Sequence, residues 1–251
     1  MEEKALTAKK SGFSMLPLCF IVFASGAALF VYAIGHLERG ENALGGFLLV
    51  VAILGYIAGI IALPGFKVLK PQEALVLTLF GHYAGTLREP GFYWVCPFCT
   101  AVNPAAGTKL SQSGDVDGGA HAASQSDGMG KKISLKMMTL NNSRQKINDC
   151  LGNPVEIGIA VIWRVTDTAK AVFNVDNYKE YLSLQCDSAL RNVVRVYPYD
   201  VAPNVDTTGD GVADEGSLRG SSEVVAARIR DEIQKNVAEA GIEVVEARIT
   251  Y

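Results

Sequence analysis

Two cysteines spaced three apart, in the run CPFC at residues 96–99, are the first residues whose type and spacing could do chemistry. A C-x-x-C pair can act as a thioredoxin-like redox couple or supply half of a zinc site. The redox chemistry wants its first cysteine at a helix N-terminus, where the thiolate is stabilised. Here Cys96 follows an extended segment, and Cys99 precedes TAVNPAAG, which reads as loop. There is no second C-x-x-C, and the only histidines are His36, His82 and His121. The plainer reading is a pair of loop cysteines without chemistry. A second candidate is DTTGDGVADE, where Asp206, Asp210, Gly211 and Asp214 fall at positions 1, 5, 6 and 9 of a calcium loop. Position 3 is Thr208, position 12 is Ser217 in place of the bidentate Glu, and Pro203 stands where an entering helix would end. The stretch therefore reads as a polar surface loop, and no metal or other cofactor is expected. No G-x-S-x-G, H-E-x-x-H or P-loop occurs, and Glu73, Glu89, Asp149, Glu156 and Asp200 are scattered carboxylates. Arg88 and Arg164 read as salt-bridge partners, and Arg191 and Arg195 as a solvated basic face of a helix. No enzyme is expected.

The elements that position these residues begin with two apolar runs in a chain of 251 residues. Residues 15–36 and 44–63 carry no Asp, Glu, Lys or Arg, and each has roughly the ~20 residues a helix needs to cross a bilayer. Only LERGEN separates them, so they read as a helical hairpin and not as a signal peptide. Lys4, Lys9 and Lys10 precede the first run, Lys67 and Lys70 follow the second, and Arg39 alone lies in the turn. That bias places both ends in the cytoplasm. Gly55 and Gly59 form a small-xxx-small pair that could pack helices, within the hairpin or between subunits. Ordinary enrichment of membrane spans in small residues also accounts for it. The net charge of −3 and the lack of a Lys/Arg stripe argue against nucleic acid as a partner. Five scattered cysteines make no disulfide framework, which points to a reducing compartment for the globular part.

Past the hairpin the pattern becomes β-rich. EALVLTLF (73–80) is a strand, and residues 83–87 and 92–95 are short strands of a meander. ISLKMMTL (133–140) is another strand. VEIGIAVIWRV (155–165) is the clearest, with Val155, Ile157, Ile159, Val161, Trp163 and Val165 on one face. A helix is expected over 177–198, capped by Asn177, with Tyr178, Leu182, Gln185, Ala189, Val193 and Val196 as its stripe. A second follows over 221–241, with Val225, Ile229, Ile233 and Val237 as its stripe and Gly241 as its stop. IEVVEARITY returns as a strand. This order makes an α+β domain. The expected organisation is a tail (1–14), a two-helix anchor (15–66) and a β-rich domain (67–251), with a flexible insertion at 105–132 and a polar loop at 204–216.

FGHYAGTLREPGFYWVCPF (80–98), LGNPVEIGIAVIWRVTDTAKAVFNVDNY (151–178), ALRNVVRVYPYD (189–200), SLRG (217–220) and AGIEVVEARIT (240–250) together resemble, in order, the SPFH domain, also called the band 7 or stomatin/prohibitin domain. The resemblance implies a membrane-associated, non-enzymatic scaffold. Such a protein would assemble with copies of itself, organise membrane microdomains, and act on lipids or on partner membrane proteins. The alternative it implies is a regulatory subunit of one membrane protease or channel. The expected location is the plasma (inner) membrane, with both termini and the domain on the cytoplasmic side. The resemblance also makes acylation of membrane-proximal Cys96 or Cys99 reasonable. In the family a helical coiled-coil region usually follows and drives assembly. The sequence given ends at Tyr251, ahead of one, so it is either a short member or a partial chain. Phe92, Tyr93, Trp94 and Phe98 follow the anchor closely, and amphipathic aromatics suit the headgroup zone. They could rest on the membrane surface, or alternate residues of the strand could pack inward.

Overall fold

The computed structural model describes residues 3–6, 12–39, 42–110, 116–117, 131–199, 217–218 and 222–250. The chain is α+β and divides into two compact units. One is Ala5–Ala101. The other combines Met1–Lys4 with Val102–Tyr251.

In the first unit, α1 (Gly12–Glu38) and α2 (Asn42–Ala62) are apolar around almost their whole circumference, the pattern of helices that do not face water. They run for 27 and 21 residues, roughly 40 and 31 Å at 1.5 Å per residue, and both are long and apolar enough to cross a membrane. Their mutual contact is narrow. The less exposed residues of α1 include Gly12, Met15, Cys19, Val22, Gly26, Leu29, Ala33 and His36, alternating three and four apart. On α2 the fully covered positions are Gly45, Ala52 and Gly59, seven apart. A seven-residue repeat keeps one seam facing the partner helix. Phe23 and Tyr56 meet across the seam (centroids 6.0 Å), while other large side chains point away from it: Phe20 is 70 % exposed and Phe47 69 %.

A 3₁₀ turn (Leu63–Gly65) leads into β1 (Phe66–Leu69). β2 (Glu73–Leu79), β3 (His82–Leu87), β4 (Gly91–Trp94) and β5 (Cys99–Ala101) follow. β1 pairs with β4, and β2 lies between β3 and β5, all antiparallel. Leu69, Leu75, Leu77, Leu87 and Tyr93 form the core of this part. The β2–β3 hairpin closes through two residues, Phe80 (φ 47°) and Gly81 (φ 86°).

In the second unit two two-residue strands, β6 (Lys109–Leu110) and β7 (Val116–Asp117), pair with each other, and β8 (Ile133–Ser134) follows. The main sheet holds β9 (Met138–Asn148), β10 (Pro154–Val165) and β11 (Ile242–Thr250), with β10 in the middle. All six residues expected on the inward face of β10 are buried, four of them completely. Both outer strands carry a bulge, at residues 143–144 of β9 and at Val245 of β11, while β10 keeps its alternation. An extra residue is tolerated where only one side is paired.

Three helices accompany this sheet. α3 (Thr168–Phe173) starts on Asp167, whose carboxylate accepts from Lys170 N at 2.9 Å. α4 (Tyr178–Val194) starts on Asn177, whose side-chain oxygen accepts from Lys179 N and Glu180 N. α5 (Ser222–Val237) buries Val225, Ile229, Ile233 and Val237 completely. α4 packs on β9 and α5, and α5 on β11. Gly241 ends the α5 segment at φ 65°, and its carbonyl accepts from Thr166 N and Asp167 N. A Cβ there would stand 2.3 Å from Asp167 O, so only glycine fits.

Four expectations change. The strand expected over 133–140 is broken after Ser134, where Lys136 N–H bonds Ser134 Oγ at 3.3 Å and the chain bends. The inward stripe of α4 runs through Cys186 and Leu190, while Gln185 is half-buried and Val196 is 54 % exposed beyond the helix end. α3 was not expected from periodicity, being only six residues long. Finally, the start of the stretch expected to be a flexible insertion, 105–132, is packed. Lys179 Nζ donates to Ala105 O at 3.1 Å and to Thr108 O at 2.6 Å, and Asn177 Nδ2 to Thr108 Oγ1 at 2.7 Å. Burial lowers the Lys179 pKa, and those two carbonyls are what its ammonium holds.

Candidate functional site: the aromatic and thiol segment beyond the anchor

Residues 91–99 join β4 to β5, and the pairing of β1 with β4 places them beside the exit of α2. Val95 N–H bonds Gly65 O at 2.9 Å, and Trp94 Nε1 donates to Ala62 O at 3.2 Å, satisfying a carbonyl at the end of α2. Phe92 stacks on Phe66 (centroids 5.4 Å, planes 10° apart) and meets Phe13 edge-on at 5.4 Å. Gly12 sits so close to the Phe92 ring that an added Cβ would lie 2.4 Å from it. Tyr93, on the opposite face of the strand, is 2 % exposed and donates its hydroxyl to Glu89 O at 3.0 Å. Burial first, and the Glu89 charge second, raise its pKa.

The four aromatics named from sequence therefore do not act as one group. Tyr93 is a core residue, because strand alternation turns it away from Phe92 and Trp94. Those two are half-buried and fasten the strand to the helices. Phe98 alone is widely exposed, at 56 %, and its companion is Phe80, 80 % exposed and stacked on it (6.1 Å, 24°). Sequence reasoning missed Phe80. The signal was Phe-Gly in a two-residue hairpin turn, which drives the Phe into the left-handed region usually given to Asn or Gly.

Cys96 and Cys99 bracket the turn that carries Phe98. Cys99 N–H bonds Cys96 O at 2.9 Å, and both thiols are free. Cys99 begins β5 and pairs with Leu79, whereas Cys96 is exposed. Burial raises the Cys99 pKa, as do the charge of Cys96 and a hydrogen bond with it, while Lys67 works the other way. The pair lies between two strands and not at a helix start, so the helix-dipole stabilisation of a thioredoxin-type thiolate is missing.

The two anchor glycines separate as well. A Cβ on Gly59 would meet the Phe23 ring at 3.0 Å, whereas Gly55 has nothing within 4 Å of the place a Cβ would take. Gly59 belongs to the α1–α2 seam and Gly55 does not. The candidate calcium loop with Asp206, Asp210 and Asp214 lies outside the described residues. Among the described residues, no group of three or more His, Cys, Asp or Glu could hold a metal. A groove of about 570 Å³ runs between α5 and β11. Two of its basic residues are already bound to neighbouring acids, Arg230 to Asp231 and Arg248 to Glu246, both at 2.6 Å. Arg164 is likewise an ion-pair residue, with Glu243 at 2.7 Å.

No curated protein matches the chain. The sequence model of the SPFH domain / Band 7 family matches residues 67–251, which takes in β1 to β11 and α3 to α5. With an apolar two-helix segment leading into that stretch, the chain belongs to the SPFH domain / Band 7 family, whose members are membrane-associated, commonly oligomeric and scaffold-like.

Proposed function

We propose that this chain is a membrane-anchored scaffold. It assembles with copies of itself and organises the surrounding bilayer or partner membrane proteins, without catalysing a reaction. The observation that carries the reading is the join between anchor and domain. α1 and α2 turn most of their large apolar side chains outward, among them Phe20, Ile21, Phe47 and Leu54, as helices in lipid do. Trp94 of β4 bonds the end of α2 at Ala62 O, and Val95 beside it bonds Gly65 O in the turn that follows α2. A helical pair held this way fixes the first β-layer at the bilayer surface, which suits an assembling platform better than a tethered soluble domain. Phe98 and Phe80 are the residues that meet the headgroup zone in this reading, where exposed rings lose water-facing area. The excess of Lys4, Lys9, Lys10, Lys67 and Lys70 over Arg39 supports both ends of the chain and the domain lying on the cytoplasmic side.

The first test is the particle mass of the full chain extracted in mild detergent. A large discrete assembly is expected. A monomer, or a complex dominated by one membrane protease or channel, would replace the scaffold by a regulatory subunit. Orientation has its own test. A membrane-impermeant maleimide should leave exposed Cys150 unlabelled in intact cells, and labelling from outside would invert the topology.

A further inference from the structure

We propose that Cys96 and Cys99 form a dithiol site that a hydroperoxide oxidises to a disulfide within the turn. A four-residue turn closed by a hydrogen bond holds its first and last Cα within about 7 Å, the outer limit for a disulfide. Cys96 and Cys99 are the two ends of that turn, and both thiols are free. Their roles differ by position. Cys96 is exposed and takes the oxidant. Cys99 is half-buried, fixed by its pairing with Leu79, and resolves the product. Burial raises the Cys99 pKa, which suits the thiol that acts second.

The chemistry balances in two steps. The Cys96 thiolate attacks one peroxide oxygen. An S–O bond forms, the O–O bond breaks, and the alkoxide, or hydroxide from hydrogen peroxide, leaves and takes a proton as an alcohol or as water. Cys99 gives up its proton and attacks the Cys96 sulfur. The S–S bond forms, the S–OH bond breaks, and hydroxide leaves as water. The two sulfurs lose two electrons together and the hydroperoxide gains them. A thiol reductant returns the pair. The site is independent of the membrane reading, and Cys150 supplies a comparison within the same chain. It is exposed too, but its turn, residues 149–153, holds no second cysteine.

The test uses the full chain in detergent, reduced, then treated with limiting hydrogen peroxide and alkylated with iodoacetamide before peptide mapping. The peptide containing residues 96–99 should lose the mass of two hydrogen atoms and fall from two alkylated thiols to none. It should recover both with dithiothreitol, all before Cys150 is modified. With Cys99→Ser, Cys96 should stop at the sulfenic acid and take up dimedone. With Cys96→Ser, Cys99 should stay reduced. Equal rates at Cys96 and Cys150 with no loss of hydrogen would overturn the proposal. So would a chain from native membranes whose Cys96 or Cys99 must first be freed of an acyl group by hydroxylamine.

Discussion

The anchor helices and the β9–β10–β11 sheet are built from the same apolar residue types, arranged in opposite senses. On α1 and α2 the most covered residues are small, Gly26, Ala33, Gly45, Ala52 and Gly59, with Phe23 and Tyr56 filling the gaps beside them while Phe20 and Phe47 point out. On β10 the large residues face in, and Trp163, Ile157, Ile159 and Val161 are fully buried. Water explains the difference. Burying a large apolar side chain stabilises a soluble unit by roughly 1.5–3 kcal/mol, whereas lipid gives no such reward and leaves close backbone approach as the main gain. The largest expected effect tests that contrast. Trp163, packed edge-on against Tyr178 at 6.3 Å, should cost about 3–5 kcal/mol when cut to Ala. Phe20→Ala should leave stability within ~0.5 kcal/mol in detergent. Denaturant melts of the full chain, followed by proteolysis of the sheet region, read both. Equal losses would mean that α1 is packed against protein on the Phe20 side.

Next comes a loss that depends on pH. Asp149 is 5 % exposed in the β9–β10 turn. Its Oδ1 accepts from Leu151 N at 2.9 Å and Asn153 N at 2.7 Å, and its Oδ2 from Asn153 Nδ2 and Tyr199 N, both at 3.1 Å. Burial pushes its pKa up, but those donors outweigh it and the pKa is lowered. A depressed carboxylate stabilises the fold above its unfolded pKa, about 3.9, and that contribution fades as pH falls through the folded value. Asp149→Asn should cost roughly 1–3 kcal/mol at neutral pH, because an amide nitrogen would face donors. The gap to the unaltered chain should close as pH drops below about 4. A gap that persists unchanged at low pH would assign the loss to shape and not to charge.

The sheet half was legible because period-two alternation has one outcome when one face must be dry. Val155 to Val165 could be read directly, and so could the α5 stripe. Polar β9 was only partly legible. Its residues Asn142 and Gln145 face α4, where both donate to Asp187, and such pairing leaves no hydrophobic trace in sequence. The aromatic segment was the least legible. Sequence order groups four rings just beyond the anchor. Only three-dimensional pairing shows that Tyr93 turns into the core, that Trp94 closes a helix end, and that Phe98 belongs with a residue from another hairpin.

A milder contrast lies inside α2. Gly59→Val would force two methyl groups toward the Phe23 ring, already 3.0 Å from where a Cβ would stand, and should weaken the hairpin by about 1–3 kcal/mol. Gly55→Val meets open space and should leave the hairpin intact. If Gly55→Val instead lowers the particle mass in detergent, its open face is where subunits meet. Thermal unfolding of each variant, set beside its particle mass, separates the two glycines.

The smallest expected change has an informative sign. Phe80 holds φ 47° at the tip of the β2–β3 hairpin, a conformation that disfavours a bulky side chain by roughly 1–3 kcal/mol. Its ring contact is Phe98, itself exposed, so little burial compensates. Phe80→Asn should therefore raise thermal stability slightly, by at most about 1 kcal/mol, since Asn accepts the left-handed region and suits a two-residue turn. The membrane-facing role proposed for this ring has a readout of its own. In a chain carrying Trp94→Phe and Trp163→Phe, a single tryptophan placed by Phe80→Trp should be quenched by brominated lipid. A stability gain together with quenching would make Phe80 a membrane-facing tip held against its own backbone preference. A stability loss, with no quenching, would return it to the fold as a packing residue and remove the surface role from Phe98 as well.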